Sequence, residues 1–244
     1  MPRRRFFISR YGIEDGVAVL SPDQAHHLRD VLRLQSGTEV ELIDGQGCSY
    51  AGIVECRGSR VRVTSLRELD PAQEFGARLA LAAALIKSDR FEWILQKGTE
   101  LGVDRFLPLE TRYTTVHIPQ TRLRERMERW RRILREASKQ SRRLTIPEIQ
   151  DPLSFEKLIC SSEYSGYTKF LLYERAAAPL RNDPVPEGPL LLCIGPEGGW
   201  DPSEAELAEK AGFSTVRIGS AILRAETAAV AAVAIFQFLM AKEL

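Results

Sequence analysis

Cysteine and histidine are scarce in this chain, four and three among 244 residues. Cys48, Cys56, Cys160 and Cys193 stand alone, with no Cys-x-x-Cys pair and no histidine at ligand spacing. That excludes the usual signatures of zinc, iron-sulfur and redox-couple sites, and the four read as buried, reduced thiols. His26 and His27 are adjacent, and neighbours on a helix point about 100° apart, so without a third ligand they read as structural or surface residues, and no metal is expected. Long hydrophobic runs are also missing. The longest, Ala228 to Phe236, stops at Gln237, short of the roughly 20 residues that a membrane-spanning helix needs. The first residues, Met-Pro-Arg-Arg-Arg-Phe-Phe-Ile, start basic but lack an apolar stretch and a small-residue cleavage site, so no membrane and a cytoplasmic location are expected. Neither sign of charge dominates: 34 basic against 33 acidic side chains leave a net charge of +1. A nucleic-acid partner must therefore be argued from where the charges lie. Neither G-x-G-x-x-G nor G-x-x-x-x-G-K-[ST] occurs, so the common dinucleotide and triphosphate sites lack their signatures.

What is present is the composition of a folded protein, 44% hydrophobic and 27% charged, in a length that suits one large domain or two small ones. The first part reads as short strands. Val17 to Leu20 leads into Ser21-Pro22-Asp23-Gln24, where Ser21 can cap, Pro22 fits the first helical position and Gln24 can complete a capping box. The spacing predicts a helix from there to about Leu34, with Leu28, Val31 and Leu32 on one face. Runs at 39–44, 49–56 and 60–66, separated by Gly45-Gln46-Gly47 and Gly58-Ser59, predict three further strands and a small barrel or curled sheet. Arg3, Arg5, Arg29 and Arg33 could form a phosphate-binding patch there, although Glu14, Asp15, Asp23 and Asp30 share the same stretch.

Asp70-Pro71-Ala72-Gln73-Glu74-Phe75-Gly76 is turn-prone, and the pattern changes across it to alternating strand and helix. The expected domains are therefore 1–70 and 77–244. Leu79 to Ile86 is a continuous apolar strand, Ser88 to Leu101 a helix stopped by Gly102, and Val103 to Leu109 a strand again, making one βαβ unit. Apolar runs at 169–173, 190–194 and 215–218 predict further buried parallel strands, and a nearly all-apolar helix spans about 225–241.

Between them, Leu123, Met127, Trp130, Leu134 and Ala137 recur at helical spacing. From Arg112 to Arg143 this segment carries eleven basic residues against three acidic ones. Like charges at such density repel, so a polyanion is the natural partner, and Arg112, Arg126, Arg129, Arg131, Arg135, Lys139 and Arg142 are the residues expected to meet it. The opposing reading is a solvated helix paired with acidic neighbours, some of them in the stretch from Glu174 to Glu209. Two glycine-bearing loops follow predicted strands directly. Ile194 runs into Gly195-Pro196-Glu197-Gly198-Gly199, then the capping box Asp201-Pro202-Ser203-Glu204, and Ile218 runs into Gly219-Ser220, then Ile222-Leu223-Arg224-Ala225-Glu226-Thr227. Both fall at carboxyl ends of strands, where open α/β sheets bind ligands.

His26-His27-Leu28 through Val31-Leu32-Arg33, Glu92-Trp93-Ile94-Leu95-Gln96-Lys97 with Glu100-Leu101-Gly102-Val103, Arg129-Trp130 and Glu136 through Ser141 follow one another along the chain. With Ile194 through Gly199, and Gly219 followed by Ile222-Leu223-Arg224-x-Glu226-Thr227-Ala228, they resemble the RsmE family over essentially the whole length. The resemblance implies a 16S ribosomal RNA methyltransferase of the SPOUT class that uses S-adenosylmethionine to methylate N3 of a uridine conventionally numbered 1498, in the small ribosomal subunit. It implies a PUA-like N-terminal barrel, a C-terminal α/β domain with a deep trefoil knot around the cofactor, and a homodimer. One departure is Thr111-Arg112-Tyr113-Thr114, the expected first pocket loop, where the family more often has a Ser-Glu-Arg-like run.

On that reading Leu192, Gly195, Pro196, Gly198, Gly199, Ile218, Gly219 and Leu223 form the cofactor pocket. Its apolar members would sandwich the adenine while backbone groups read its edge. A uridine N3 must lose its proton, so Glu197 and Glu226 are the candidate bases, with helix capping the alternative role for each, and Arg224 is the cation for the anionic uracil or a phosphate. The residues alone do not choose between the two glutamates. They also leave open a non-catalytic RNA-binding assembly factor, and a related methyltransferase acting on another RNA.

Overall fold

The computed structural model describes residues 4–8, 12–58, 60–69, 78–177, 180 and 188–240; Arg3 and the expected linker at 70–76 lie outside them. The chain divides into two compact units, residues 1–74 with 138–146, and residues 75–137 with 147–244.

The first unit carries β1 (Arg4–Phe7), β2 (Ile13–Glu14), β3 (Val17–Val19), α1 (Pro22–His26), β4 (Glu39–Ile43), β5 (Ser49–Arg57) and β6 (Arg60–Glu68). They form a mixed sheet in the order β1-β4-β5-β6-β3-β2, with β1 parallel to β4 and the other pairs antiparallel. Phe6, Val40, Leu42, Val54, Val61 and Val63 fill its core with Ala25 and Leu28 from the helix. The helix begins as its sequence dictates, Ser21 Oγ accepting from the Gln24 N–H at 3.4 Å and Pro22 leading the first turn. It does not continue to Leu34. After His26 the backbone widens into a π turn over His27–Val31, and Arg33 takes a left-handed φ of 53°. The wider turn breaks the 3.6-residue period, so Leu28 is buried while Val31, expected beside it, is 59% exposed.

Residues 138–146, expected within the second domain, pack with this first unit. Arg5 Nη1 donates to the Arg142 carbonyl at 2.8 Å, Gly45 bridges Thr145, and Lys139 Nζ lies 5.8 Å from the centre of the Phe6 ring. A composition change at the linker carries no information about such a returning segment.

The second unit runs β7 (Leu79–Ala84), α2 (Ser88–Glu100), β8 (Arg105–Glu110), α3 (Gln120–Gln140), β9 (Glu148–Ile149), β10 (Leu153–Ser154), α4 (Phe155–Ile159), β11 (Thr168–Leu172), β12 (Leu190–Ile194), α5 (Pro202–Lys210), β13 (Ser214–Val216) and α6 (Ala225–Met240). Its sheet is parallel throughout, in the order β10-β8-β7-β12-β11-β13, with β9 also on β8. Every residue of β7 and β12 is buried, as parallel strands covered on both faces require. Helix α6 packs against α2, β12 and β7. The α3 stripe Met127, Trp130, Leu134 and Ala137 is buried, and Trp130 meets Phe91 of α2 with ring centres 4.9 Å apart.

The expectation for the cysteines is settled here. Only Cys193 is buried; Cys48 and Cys56 are half-buried and Cys160 is exposed, so hydrophobicity alone misjudged three of the four thiols. Burial pushes the Cys193 thiol well up from its ordinary value, which keeps it protonated and unreactive. Among the described residues no helix is long and apolar enough to cross a membrane, and no group of His, Cys, Asp and Glu could hold a metal ion.

Candidate active site

Strands β12, β11 and β13 are neighbours in the sheet, so the segments that leave their carboxyl ends meet. They enclose a cavity of about 630 Å³, within the range of small-molecule sites. Its walls come from Leu172 to Glu174 after β11, from Ile194 to Trp200 after β12, and from Val216 to Ala225 after β13, with Ala228 of α6. The two glycine loops singled out in the sequence therefore face one space.

Trp200 anchors the first loop. Its Nε1 donates to the Leu172 carbonyl at 2.9 Å and its ring lies 4.8 Å from that of Phe155. Gly195 touches that indole: a Cβ there would stand 3.0 Å from Nε1. Beyond the loop Asp201 caps α5, Oδ1 accepting from the Ser203 N–H at 2.9 Å, while Glu204 closes the capping box by accepting from the Asp201 N–H at 3.1 Å. Hydrogen bonds from the Ser203 side chain and backbone, then from Tyr113, hold the Asp201 carboxyl down at about 2.

The loop at 111–114 does not line the cavity. It braces the glycine loop from outside: the Tyr113 hydroxyl donates to Asp201 at 2.8 Å, the Arg112 N–H donates to buried Glu204 at 2.9 Å, and Tyr113 Cβ stands 3.0 Å from where a Cβ of Gly198 would be. Its expected role as a pocket wall is thereby corrected; turn chemistry shows that a loop exists, not which neighbour it meets.

Of the expected cofactor residues, Gly195, Pro196, Gly198, Gly199, Ile218, Gly219 and Leu223 line the cavity. Leu192 is fully buried within β12 and does not. Glu197 and Arg224 also line it, whereas Glu226, in the first turn of α6, does not. Gly219 has a φ of 65° and nothing within 4 Å of where its Cβ would lie, so the second loop leaves open space beside its backbone. Ile222, 85% exposed at the rim, presents an apolar surface. Glycine cradle, apolar rim and the carboxylates of Glu174 and Glu197 together fit a flat aromatic group joined to a cation, the chemistry of S-adenosylmethionine.

Three charged residues escaped the sequence reading. Glu174 lines the cavity beside Gly199, its Oε1 3.1 Å from where a Cβ would be. Arg217 staples the walls together, Nε donating to the Ala176 carbonyl at 3.1 Å and Nη1 to the Gly219 carbonyl at 3.0 Å. Arg90 of α2 reaches both candidate bases, with Nη1 3.3 Å from Glu197 Oε1 and Nε 3.7 Å from Glu226 Oε1. The available signal for Arg90 was its position, just past an apolar strand at the opening of a helix.

The basic helix is less uniformly free than its charge count implies. Glu92 of α2 takes Arg129 Nε and Nη2 at 2.7 Å each and Arg126 Nη1 at 3.5 Å, and Arg126 also donates to Ser88. Arg131, Arg132 and Arg135 are exposed, and among the described residues they make no ion pair. Arg112 is exposed with Nε 3.5 Å from Asp201. In the first unit Arg5 bonds Glu41 and the Arg142 carbonyl, and Arg29 bonds Asp30 and the Gly58 carbonyl. Arg33 and Arg142 are exposed and both hold left-handed backbone.

A parallel sheet with a glycine-walled cavity at its carboxyl edge, preceded by a small mixed-sheet unit, is the architecture in which two family models place an RNA methyltransferase. The family model described as an RNA methyltransferase domain matches residues 73–237, and that of the RNA methyltransferase PUA domain matches residues 20–55. The chain is 33% identical to the ribosomal RNA small subunit methyltransferase E of Synechocystis over 94% of this chain and 76% of that protein. It is 29% identical to the Bacillus subtilis protein of the same name over 92% of each. Among solved structures, a Legionella pneumophila methyltransferase with bound cofactor SAM matches with a TM-score of 0.88 at 29% identity over 98% of both chains. The Neisseria gonorrhoeae ribosomal RNA small subunit methyltransferase E bound to S-adenosylmethionine matches with 0.86 at 29% identity, again over 98% of both. The chain belongs to the ribosomal RNA small subunit methyltransferase E family.

Proposed function

We propose that this enzyme methylates N3 of a uridine in the 16S ribosomal RNA of the small subunit, at the position conventionally numbered 1498, with S-adenosylmethionine as donor. One observation carries the reading: the two glycine loops share a cavity of cofactor size with Glu197 and Arg224 on its walls. When bound, S-adenosylmethionine supplies a methyl group on a sulfonium, transferred as its S–C bond breaks and a neutral thioether leaves. Gly195, Pro196, Gly198, Gly199 and Gly219 would hold the cofactor by backbone approach and Ile218 and Leu223 would supply apolar surface for its adenine, with Leu192 buried in the strand that carries the first loop. A carboxylate, Glu197 or Glu226, takes the proton that leaves N3, and Arg224 stabilises the negative charge left on the uracil. Holding acceptor and methyl in line is the larger contribution, since alignment alone supplies roughly 7 to 11 kcal/mol.

The finer architecture belongs to the same reading. A knotted path is supported by β13 standing at one edge of the sheet while α6, which follows it, returns to pack on α2, β12 and β7. The mixed sheet of the first unit is read as a PUA-like barrel. A homodimer is supported by α6: a stripe through Ala225, Ala229, Ala232, Val233 and Phe236 is buried, yet Phe238 is 81% exposed. Ribosomal RNA as substrate makes the cytoplasm the place of action.

Two experiments test this. Calorimetry is expected to show one S-adenosylmethionine bound per chain, and mass mapping of small-subunit RNA is expected to lose one N3-methyluridine when the gene is deleted. A well-folded protein that binds RNA but gives no heat with the cofactor would be an assembly factor instead, and intact small-subunit modification after deletion would move the target to another RNA.

Arg33, Lys139 and Arg142 of the first unit and Arg112, Arg131 and Arg135 of the second are proposed to contact RNA phosphates, each set on its own unit, with Arg5 and Arg29 beside the first set and Arg126 and Arg129 beside the second. Replacing Arg131, Arg132 and Arg135 together by alanine is expected to reduce the slope of log affinity against log salt by about 2 to 3, at roughly 0.7 to 0.9 per phosphate contact. An unchanged slope would turn this face of α3 away from RNA.

A further inference from the structure

We propose that Arg90 is a positioning residue for methyl transfer, holding Glu197 toward the substrate while Glu226 anchors the guanidinium from the protein side; this rests on the methyl-transfer reading of the cavity. The two carboxylates that Arg90 joins are not equivalent. Glu197 lines the cavity and its side chain is 37% exposed, whereas Glu226 does not line it and is 14% exposed. The second oxygen of Glu226, Oε2, is buried and has no hydrogen-bond partner among the described residues. Less exposed and off the cavity wall, Glu226 is the worse placed of the two to meet a base entering the cavity. Glu197 is thus the group placed to touch the uracil and receive its N3 proton as the N3–C bond forms, and Glu226 is a fixed counter-charge.

Glu197 needs such a partner because its own loop holds it poorly. It rides between Gly195 and the pair Gly198 and Gly199, and among the described residues Arg90 is its only ionic contact. Arg90 can serve both carboxylates because Nε and Nη1 lie in one rigid plane and address different oxygens. The turn that carries it is itself pinned: Ser88 bonds Glu92 at 3.0 Å, and Glu92 is gripped by Arg126 and Arg129 of α3. A lysine would retain the charge and lose the fork.

The test is a cycle of Arg90→Gln, Glu197→Gln and the double variant, each assayed for cofactor binding, RNA KM and kcat. Arg90→Gln is expected to bind S-adenosylmethionine and RNA within about threefold of the wild type and to lose about 10² in kcat, the cost of a misplaced catalytic group. In the Glu197→Gln background the same change should cost less than about twofold, since there is then no carboxylate to aim. Arg90→Lys should recover only part of the loss, and it replaces Arg90→Gln throughout if the latter does not fold. Wild-type kcat in Arg90→Gln, a loss of cofactor affinity in place of kcat, or effects of the two substitutions that multiply would each overturn the proposal. Absence of cofactor binding by the wild type would instead bring down the reading of the cavity, and this inference with it.

Discussion

Gly195→Val is expected to abolish S-adenosylmethionine binding, with affinity lower by at least about a hundredfold, or about 2.8 kcal/mol. The first atom of any side chain at this position would lie 3.0, 3.1 and 3.2 Å from Nε1, Cε2 and Cδ1 of Trp200. The indole cannot turn aside cheaply. It is buried, bonded to the Leu172 carbonyl and packed against the tilted ring of Phe155, and a buried donor stripped of its acceptor costs about 1 to 3 kcal/mol. The loop must therefore move instead, and the loop from Gly195 to Gly199 is one wall of the cavity. Overpacking should also lower stability by about 1 to 3 kcal/mol. Gly166→Val is the control, since a Cβ there meets nothing within 4 Å. Calorimetry on the folded variants checks the expectation, and wild-type affinity in Gly195→Val would show that this wall does not hold the cofactor. Gly198 makes a weaker test, because its added side chain would begin against Tyr113, which is 42% exposed and freer to yield than the buried indole.

The contrast between Gly195 and Arg90 shows what a linear reading can reach. The apolar runs of β7 and β12, the stripe of α3 and the capping box at Asp201 are local patterns, each set by neighbours a few residues away. The glycine loops were legible because they follow such runs directly, and strand order then brings them to one cavity. Arg90 has only its place at the opening of α2 as a local signal, which does not name its partners. Its partner Glu197 is 107 residues away, and on α2 alone an arginine in the first turn looks like ordinary solvated surface. Charge counting failed in the opposite direction on α3, where Glu92 lies outside the counted segment and engages two of the arginines. Leu192 and Glu226 show the limit of proximity in sequence: each adjoins a cavity-lining segment, yet one is sealed in the sheet core and the other faces Arg90.

Arg224→Ala is expected to lower kcat by about 10² to 10³ while leaving cofactor affinity within a few-fold of the wild type. Arg224 sits at the opening of α6, its carbonyl accepting from the Ala228 N–H at 2.8 Å, so its backbone is fixed while its side chain is exposed on the cavity wall. The other cavity arginine, Arg217, is committed to the Ala176 and Gly219 carbonyls. Arg224 makes no ion pair with the described residues, which leaves its guanidinium available to an incoming group. A uracil that loses its N3 proton spreads the charge to its two carbonyl oxygens, and a guanidinium fork meets such an oxygen with charge-assisted hydrogen bonds that strengthen as the charge develops. An interaction realised mainly in the transition state moves kcat rather than KM. Since the side chain supports nothing else among the described residues, melting should shift little, consistent with the ±0.5 kcal/mol of ordinary surface changes. Arg224→Lys should recover only part of the rate, because an ammonium restores charge without the planar donor pair. A raised RNA KM with unchanged kcat would reassign Arg224 to a phosphate, and an unchanged kcat/KM would remove it from the site.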